Sequence, residues 1–277
     1  MSTDGRKYKL NDTVCGYDAA EAINNIVEYI NACVQESCDI VYHLTREELT
    51  FNLNGTFKTE VEGLTTMAGV CTAERFAVGE DTPPTYNGRI TMAHEIGHLL
   101  GCNHDGCPTS ENCSFLNSNL MSLINKDIQN KSKLSDCCIR SIQELVSRLP
   151  DSCLYVNTTT NFTNDFYPGE NLTDEHFCKL MHPDVEVVPA YKNNTKECQL
   201  DCCWNDTDSE SAYDYESEYS DNTDTECEEG ICEDVCEFHD RLDGMTCGVN
   251  KTCFRGTCVN HNWTEIRHKY HTYRAFP

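Results

Sequence analysis

The spacing of apolar residues predicts two amphipathic helices in the first half of the chain. In residues 18–35, apolar side chains recur every three or four positions, which is the period of a helix with one buried face. Asp18 is a residue type that caps helix starts. Residues 137–149 show a second helical pattern, which Pro150 ends because proline interrupts a helix. Residues 83–88 contain PP and NG pairs, so we predict a loop there, just before the helix that carries His94 and His98.

The pattern of hydrophobic and polar residues changes after Cys153 and predicts two domains. Residues 1–155 contain both predicted amphipathic helices, and we assign them to one domain. A polar stretch follows, and we assign residues 156–177 to a linker. Cysteines then become dense, so residues 178–277 are predicted to form a small disulfide-rich module.

This second module contains a strongly acidic segment. Between Asp206 and Asp234 there are 13 acidic residues and no lysine or arginine. Residues 206–231 have too little apolar surface to order themselves, so we predict a disordered loop tethered by Cys203 and Cys227.

Cysteine content places the chain in an oxidising compartment. The 20 cysteines divide evenly at Cys153, which suits two domains that each close their own disulfides. Glycosylation sequons also favour a secreted glycoprotein. They occur at Asn11, Asn54, Asn112, Asn130, Asn157, Asn161, Asn171, Asn193, Asn205, Asn250 and Asn262. No stretch approaches the roughly 18 apolar residues of a membrane helix.

The net charge of −25 argues against nucleic acid or anionic membranes as partners and favours basic proteins. An acidic run usually serves solubility. A sharper hypothesis concerns Tyr213, Tyr215 and Tyr219, which are flanked by acids and would be sulfation sites in a secretory pathway. The modified segment would then dock on a basic host protein.

The stretch HEIGHLLGCNH predicts a catalytic zinc site. His94 and His98 are four positions apart and share one helix face, while Glu95 can act as general base without being a ligand. Gly101 permits the sharp turn that returns His104 as third ligand. Three protein ligands leave a coordination position open, as in catalytic rather than structural zinc sites.

Other candidate ligands are assigned no zinc. Cys102 lies inside the motif, but a fourth protein ligand would close the site, and a disulfide with one of the nearby cysteines is favoured. The remaining histidines, including His182 and His239, show no ligand spacing.

The extended motif resembles the metzincin signature HExxHxxGxxH followed by a Met-turn. By this resemblance Met121, in NLMS, lies beneath the zinc ligands, although a methionine after a loop is also an ordinary core residue. Asp105 after the third histidine resembles the adamalysin or reprolysin group and is expected to support the site structurally. The resemblance implies an α/β (α+β) protease domain with a mixed sheet and a zinc-binding helix, and it allows a structural Ca²⁺ ion.

Other stretches resemble the same family. Residues 37–45 (SCDIVYHLT) resemble its central strand, and residues 66–71 (TMAGVC) resemble its edge strand. Cys71 and Cys153 match positions that pair in those enzymes. The cysteine-rich tail resembles most the short tail of tick salivary secreted metalloproteases.

The first ten residues lack the apolar core of a signal peptide. Relatives carry a propeptide and then a strand, a helix and a second strand before the helix at residues 18–35. We therefore expect the protease domain to be truncated at its N-terminus.

The leading functional hypothesis is a secreted zinc endopeptidase that cuts extracellular proteins, with fibrinogen, fibrin or matrix as targets implied by the resemblance. Substrate would lie along residues 65–70, and a pocket with Leu123 and Ile124 would select a side chain. The alternative is an inert binding protein that acts through its acidic cysteine-rich half. A gluzincin, with a distant glutamate as third ligand, is disfavoured because His104 is already placed.

Overall fold

The computed structural model describes residues 7–9, 15–33, 38–53, 56–59, 61–123, 129–155, 166–190, 198–205 and 235–270. These residues form two compact units: the first comprises residues 1–163 together with 268–277, and the second comprises residues 164–267. The acidic segment 206–231, Cys227, Ile124 and the three tyrosines proposed for sulfation lie outside the described residues. No helix in the described ranges is long and apolar enough to cross a membrane.

The first unit is a mixed α/β structure. Its strands are β1 (Lys7–Lys9), β2 (Cys15–Asp18), β3 (Val41–Thr45), β4 (Glu48–Leu53), β5 (Thr56–Lys58), β6 (Gly63–Thr65) and β7 (Phe76–Glu80). Its helices are α1 (Ala19–Cys33), α2 (Arg89–Leu99), α3 (Asp136–Val146) and α4 (Asp151–Leu154). The two predicted amphipathic helices are therefore α1 and α3.

Two sheets organise this unit. One has the order β1-β2-β4-β5, with β2 and β4 parallel. The other has the order β3-β7-β6, in which β7 runs parallel to β3 and antiparallel to β6. Mixed strand directions confirm the predicted mixed sheet. Within the described sheet β7 is the middle strand, so the expectation of a central strand at residues 37–45 is wrong.

The core of the first unit forms where α1 covers the strands. Ala19 and Ala22 of α1 are buried against Leu49 and Val78. Asp18 accepts a hydrogen bond from the backbone N–H of Glu21 at 2.9 Å, which confirms its predicted capping role.

The edge strand lies earlier than the sequence suggests. Residues 66–71 were expected to form it, but they form turns in which Ala68 and Cys71 have positive φ angles of 56° and 58°. The backbone N–H groups of Ala68 and Val70 donate to the carbonyls of His98 and Leu99. This segment therefore satisfies the last carbonyls of helix α2, and β6 is the edge strand.

The second unit contains α5 (Asp174–Met181), β8 (Val187–Ala190), β9 (Gln199–Trp204), β10 (Val235–Asp240), β11 (Thr246–Gly248), β12 (Lys251–Phe254), β13 (Thr257–Val259) and, up to Arg267, the start of α6 (Trp263–Tyr270). These strands make two antiparallel three-stranded sheets, β10-β9-β8 and β11-β12-β13. A small core of Phe177, Leu200, Leu242 and Met245 is buried beside the disulfide between Cys178 and Cys202.

The structure of this unit differs from the sequence-based prediction in one domain boundary and one disulfide. Residues 166–177 were assigned to a linker, but the Tyr167 ring packs against Phe254 and Trp263, and α5 begins at Asp174. The polar composition of this segment predicts a linker, because composition does not reveal contacts between aromatic residues that are distant in sequence. Cys203 pairs with Cys236 and not with Cys227, because β9 and β10 are directly paired at those two residues.

Candidate active site

Helix α2 carries the first part of the site. It ends just before Gly101, whose φ of +91° lies in the region that only glycine enters without strain. The backbone N–H groups of Gly101 and Cys102 donate to the carbonyls of His98 and Gly97. The chain thus turns back sharply after the helix, as the sequence predicts.

This turn brings three imidazoles together. The Nε2 atom of His104 lies 3.1 Å from Nε2 of His94 and 3.0 Å from Nε2 of His98. The three rings meet at tilted or edge-on angles, with centroids 4.6 to 5.1 Å apart. Three nitrogens therefore point at one common position.

Backbone carbonyls hold the two helical rings in orientation. Nδ1 of His94 lies 2.7 Å from the Leu120 carbonyl oxygen, and Nδ1 of His98 lies 2.7 Å from that of Cys102. When Nδ1 donates, the proton is on that nitrogen and Nε2 keeps its lone pair. Burial lowers the pKa of His94 and His104, and it lowers that of His98 to about 4. All three are therefore neutral near pH 7.

These three nitrogens suit a zinc ion. Ligand nitrogens at 2.0–2.1 Å from a tetrahedral zinc lie about 3.3 Å from one another, close to the observed separations. The ligand nitrogens of the three histidines all lie within 4.8 Å of one another, close enough to bind a single metal ion. Cys102 is bonded to Cys138, which confirms the predicted disulfide and removes it as a fourth ligand.

Met121 lies directly under helix α2. It is fully buried, and its Sδ atom would be 2.6 Å from a Cβ atom on Gly97. The neighbouring carbonyl of Leu120 is the one that His94 contacts. The turn at Met121 therefore packs against helix α2 at Gly97, between His94 and His98.

Asp105 connects this turn to helix α3. Its buried carboxylate accepts a 2.6 Å hydrogen bond from Ser135, the N-cap residue of α3, and lies 3.5 Å from the Ser122 hydroxyl. Its backbone N–H donates to the Met121 carbonyl at 2.9 Å. The residue after His104 thus has structural contacts, which suits a supporting role rather than a chemical one.

Glu95 points from the same helix towards strand β6. Its side chain is buried, and burial raises its pKa to about 7. A Cβ atom on Gly63 would lie 2.8 Å from Glu95 Cγ, so the carboxylate fits only because β6 has a glycine there. Thr91 donates a 2.8 Å hydrogen bond to Glu62, which ties α2 to the start of β6.

A cleft of about 540 Å³ joins these groups. It is lined by the three histidines, Glu95, the edge strand and residues after the Met121 turn, including Leu123. Leu123 is 71% exposed and faces solvent at the cleft wall. The histidines, a carboxylate and the edge strand of the described sheet therefore share one depression.

Disulfides anchor the segments around the cleft. The structure joins Cys71 to Cys153, the pair implied by the family resemblance. Cys113 is bonded to Cys137 at the start of α3. Among the described cysteines, Cys38 and Cys107 are free.

Two site residues escaped sequence reasoning. Gly63 and Gly97 carry no functional group, and each matters only because a neighbouring side chain occupies the space of its absent Cβ atom. The sequence offers one signal, which is Gly97 inside the helical motif. Glycine lowers helix stability, so its presence there indicates that close packing leaves no room for a side chain.

Comparisons with known proteins support the protease resemblance. Residues 7–135 match the Reprolysin_5 model, described as metallo-peptidase family M12. The venom metalloproteinase BumaMPs1 of Olivierus martensii is 33% identical over 136 residues, covering 47% of this chain and 34% of that protein. The protein adt-1 of Caenorhabditis elegans, a disintegrin and metalloproteinase with thrombospondin motifs, is 25% identical over 276 residues, covering 94% of this chain and 16% of its own length.

A third relative is the venom metalloproteinase antarease-like TserMP_B of Tityus serrulatus. It is 33% identical over 114 residues, covering 37% of this chain and 47% of that protein. The chain therefore spans between about a sixth and about half of the length of these curated relatives.

Proposed function

Because residues 7–135 fit a metzincin of the adamalysin/reprolysin type, we propose that the chain is a zinc-dependent endopeptidase. The observation that carries this proposal is the convergence of three imidazole Nε2 atoms in the cleft that also holds Glu95. His94, His98 and His104 would be the zinc ligands.

A zinc ion at this position would polarise the scissile carbonyl and acidify water. Glu95 accepts the proton of the attacking water and passes it to the leaving amine. Burial raises the pKa of this carboxyl, which favours the protonated form that would pass a proton to the leaving amine.

Substrate binding follows from the edge position of β6. An extended peptide can add itself as a strand beside Gly63, Leu64 and Thr65, which places its backbone along the cleft. The sequence predicts residues 65–70 for this role, but the residues beyond Thr65 form turns and cannot pair as a strand. Leu123 would contact a side chain of the substrate at the opposite wall.

Extracellular proteins are the proposed substrate class. Disulfides within both units and the sequons support secretion, as do the venom relatives by name. Fibrinogen, fibrin and matrix proteins are the proposed targets, with impaired haemostasis as the result. The acidic segment with Tyr213, Tyr215 and Tyr219 would recruit a basic host protein, and mass spectrometry showing no sulfate on this peptide would remove that role.

The decisive experiment is proteolysis of denatured and native protein substrates by the purified chain. We expect cleavage that stops with a chelator, returns with zinc, and falls at least about a hundredfold in Glu95→Gln. Glu111→Gln removes an exposed carboxylate from a neighbouring loop and should cleave normally. Binding of a host protein without cleavage, unaffected by Glu95→Gln, would instead support the inert binding protein.

A further inference from the structure

We infer that the second unit holds a second site for a divalent transition-metal ion, formed by His182, Glu237 and His239. The Nε2 atoms of His182 and His239 lie 2.7 Å apart. A carboxylate oxygen of Glu237 lies 3.7 Å from His182 Nε2 and would have to rotate to reach His239 as well, because the donor atoms within 4.8 Å of one another are those of His182, His239 and Cys202. Two imidazoles and a carboxylate are a ligand set that zinc uses elsewhere in proteins.

The fold assembles this set from distant parts of the sequence. His182 directly follows helix α5 as its C-cap residue. Glu237 and His239 are two positions apart on β10, so their side chains leave the same face of the sheet. An ion bound there would connect the end of α5 to β10.

Aromatic neighbours hold both rings in position. The His182 ring packs on Trp204, with centroids 4.5 Å apart, and the His239 ring meets the buried Phe177 edge-on at 6.2 Å. Side chains that are already ordered lose less conformational freedom on binding, which favours affinity. Glu237 is 58% exposed and can swing towards the two nitrogens.

The donor types indicate which ion the site would take. Cys202 lies close enough to be a ligand, but its sulfur is in the disulfide with Cys178 and cannot act as a thiolate. Imidazole nitrogens favour Zn²⁺, Cu²⁺ or Ni²⁺ over Ca²⁺ and Mg²⁺, which prefer oxygen. Tetrahedral zinc would separate the nitrogens to about 3.3 Å, a small rotation of either ring.

The test counts zinc ions in the full, tag-free chain by elemental analysis, after dialysis with millimolar calcium to occupy surface carboxylates. We expect two zinc ions per chain in the wild type and one in either His182→Ala or His239→Ala. His176→Ala, which removes an exposed histidine on α5, should retain two. His98→Ala should retain one, and His98→Ala/His239→Ala none.

These variants separate this inference from the proposed function. A wild type with one ion that disappears in His98→Ala would overturn the second site and leave the protease site standing. A wild type with one ion that disappears only in His239→Ala would overturn the zinc site of the proposed function and leave the second site standing. Equal zinc counts in the wild type, His182→Ala and His239→Ala would also overturn the second site.

A surface variant guards against misfolding of the histidine variants. Glu237→Gln changes a mostly exposed side chain, so the unit should fold normally. Loss of this ligand should weaken zinc binding at the second site by at least about tenfold in a calorimetric titration of His98→Ala. An unchanged affinity would remove Glu237 from the site and contradict the proposed ligand set.

Discussion

The Sδ atom of Met121 occupies the space that a Cβ atom on Gly97 would need, at a distance of 2.6 Å. Gly97 lies on α2 between His94 and His98, and Met121 belongs to the turn below. The Met121 side chain therefore packs directly against the helix backbone at Gly97, where no side chain intervenes. The same turn supplies the Leu120 carbonyl that orients His94.

Gly97→Ala should push the Met121 turn away from the helix. Overpacking of this kind lowers the free energy of unfolding by about 1–3 kcal/mol, and displacement of Leu120 should weaken zinc binding. Urea unfolding and a zinc titration measure the two effects. Adding Met121→Ala to Gly97→Ala should cost less than the sum of the single losses, because the clash is then absent; simple additivity would contradict the contact.

Gly63→Ala should disturb Glu95 without disturbing the histidines. The new methyl group would lie 2.8 Å from Glu95 Cγ and 2.9 Å from Thr91 Cγ2, so the carboxylate must move. We expect kcat/KM to fall by about tenfold or more while zinc content stays the same. In a Glu95→Ala background the same change should have no further effect on kcat, whereas KM still reports any change in substrate binding along β6. A parallel loss of zinc would show that the histidines moved too.

Asp105→Asn should loosen the support of the site. The variant weakens the hydrogen bond from Ser135 to a buried carboxylate, and bonds to charged groups contribute about 1.5–3 kcal/mol. The midpoint temperature of thermal unfolding and the affinity for zinc should both decrease. Glu111→Gln removes the same charge from an exposed position and should change neither quantity; an equal effect of both variants would mean that net charge, not the Asp105 contacts, is responsible.

Glu80 should make the protein less stable as the pH rises. Burial raises the pKa of this carboxyl to about 7, above its ordinary value of 4.5, although it accepts a hydrogen bond from the Leu49 N–H. The folded state therefore holds a proton that the unfolded state has released between these values, so the free energy of unfolding falls across that range.

Glu80→Gln tests this pH dependence. The neutral side chain keeps an acceptor for Leu49 but no longer titrates, so the variant should lose less stability than the wild type between about pH 5 and about pH 8. Unfolding by urea at several pH values measures the difference. Comparison within each pH cancels the titration of the histidines, and parallel pH profiles for both proteins would refute the role of Glu80.

Local patterns along the chain determined much of the first unit. Helical periodicity placed α1 and α3, and Asp18 was recognisable as a cap because its chemistry acts within one helical turn. The grouping of His94, His98 and His104 was also predictable, because all three lie within eleven residues and Gly101 dictates the turn between them.

Tertiary structure decided the features that depend on distant neighbours. The edge strand lies at Gly63–Thr65 because residues 66–71 bond to the end of α2, a partner that alternation of side chains cannot reveal. Cys203 pairs with Cys236 because β9 and β10 align them, although Cys227 is nearer in sequence. His182 and His239 meet across 57 residues, and only the packing of α5 with its sheet brings their nitrogens together. Spacing encodes contacts within one element, whereas contacts between elements depend on which surfaces the whole chain buries.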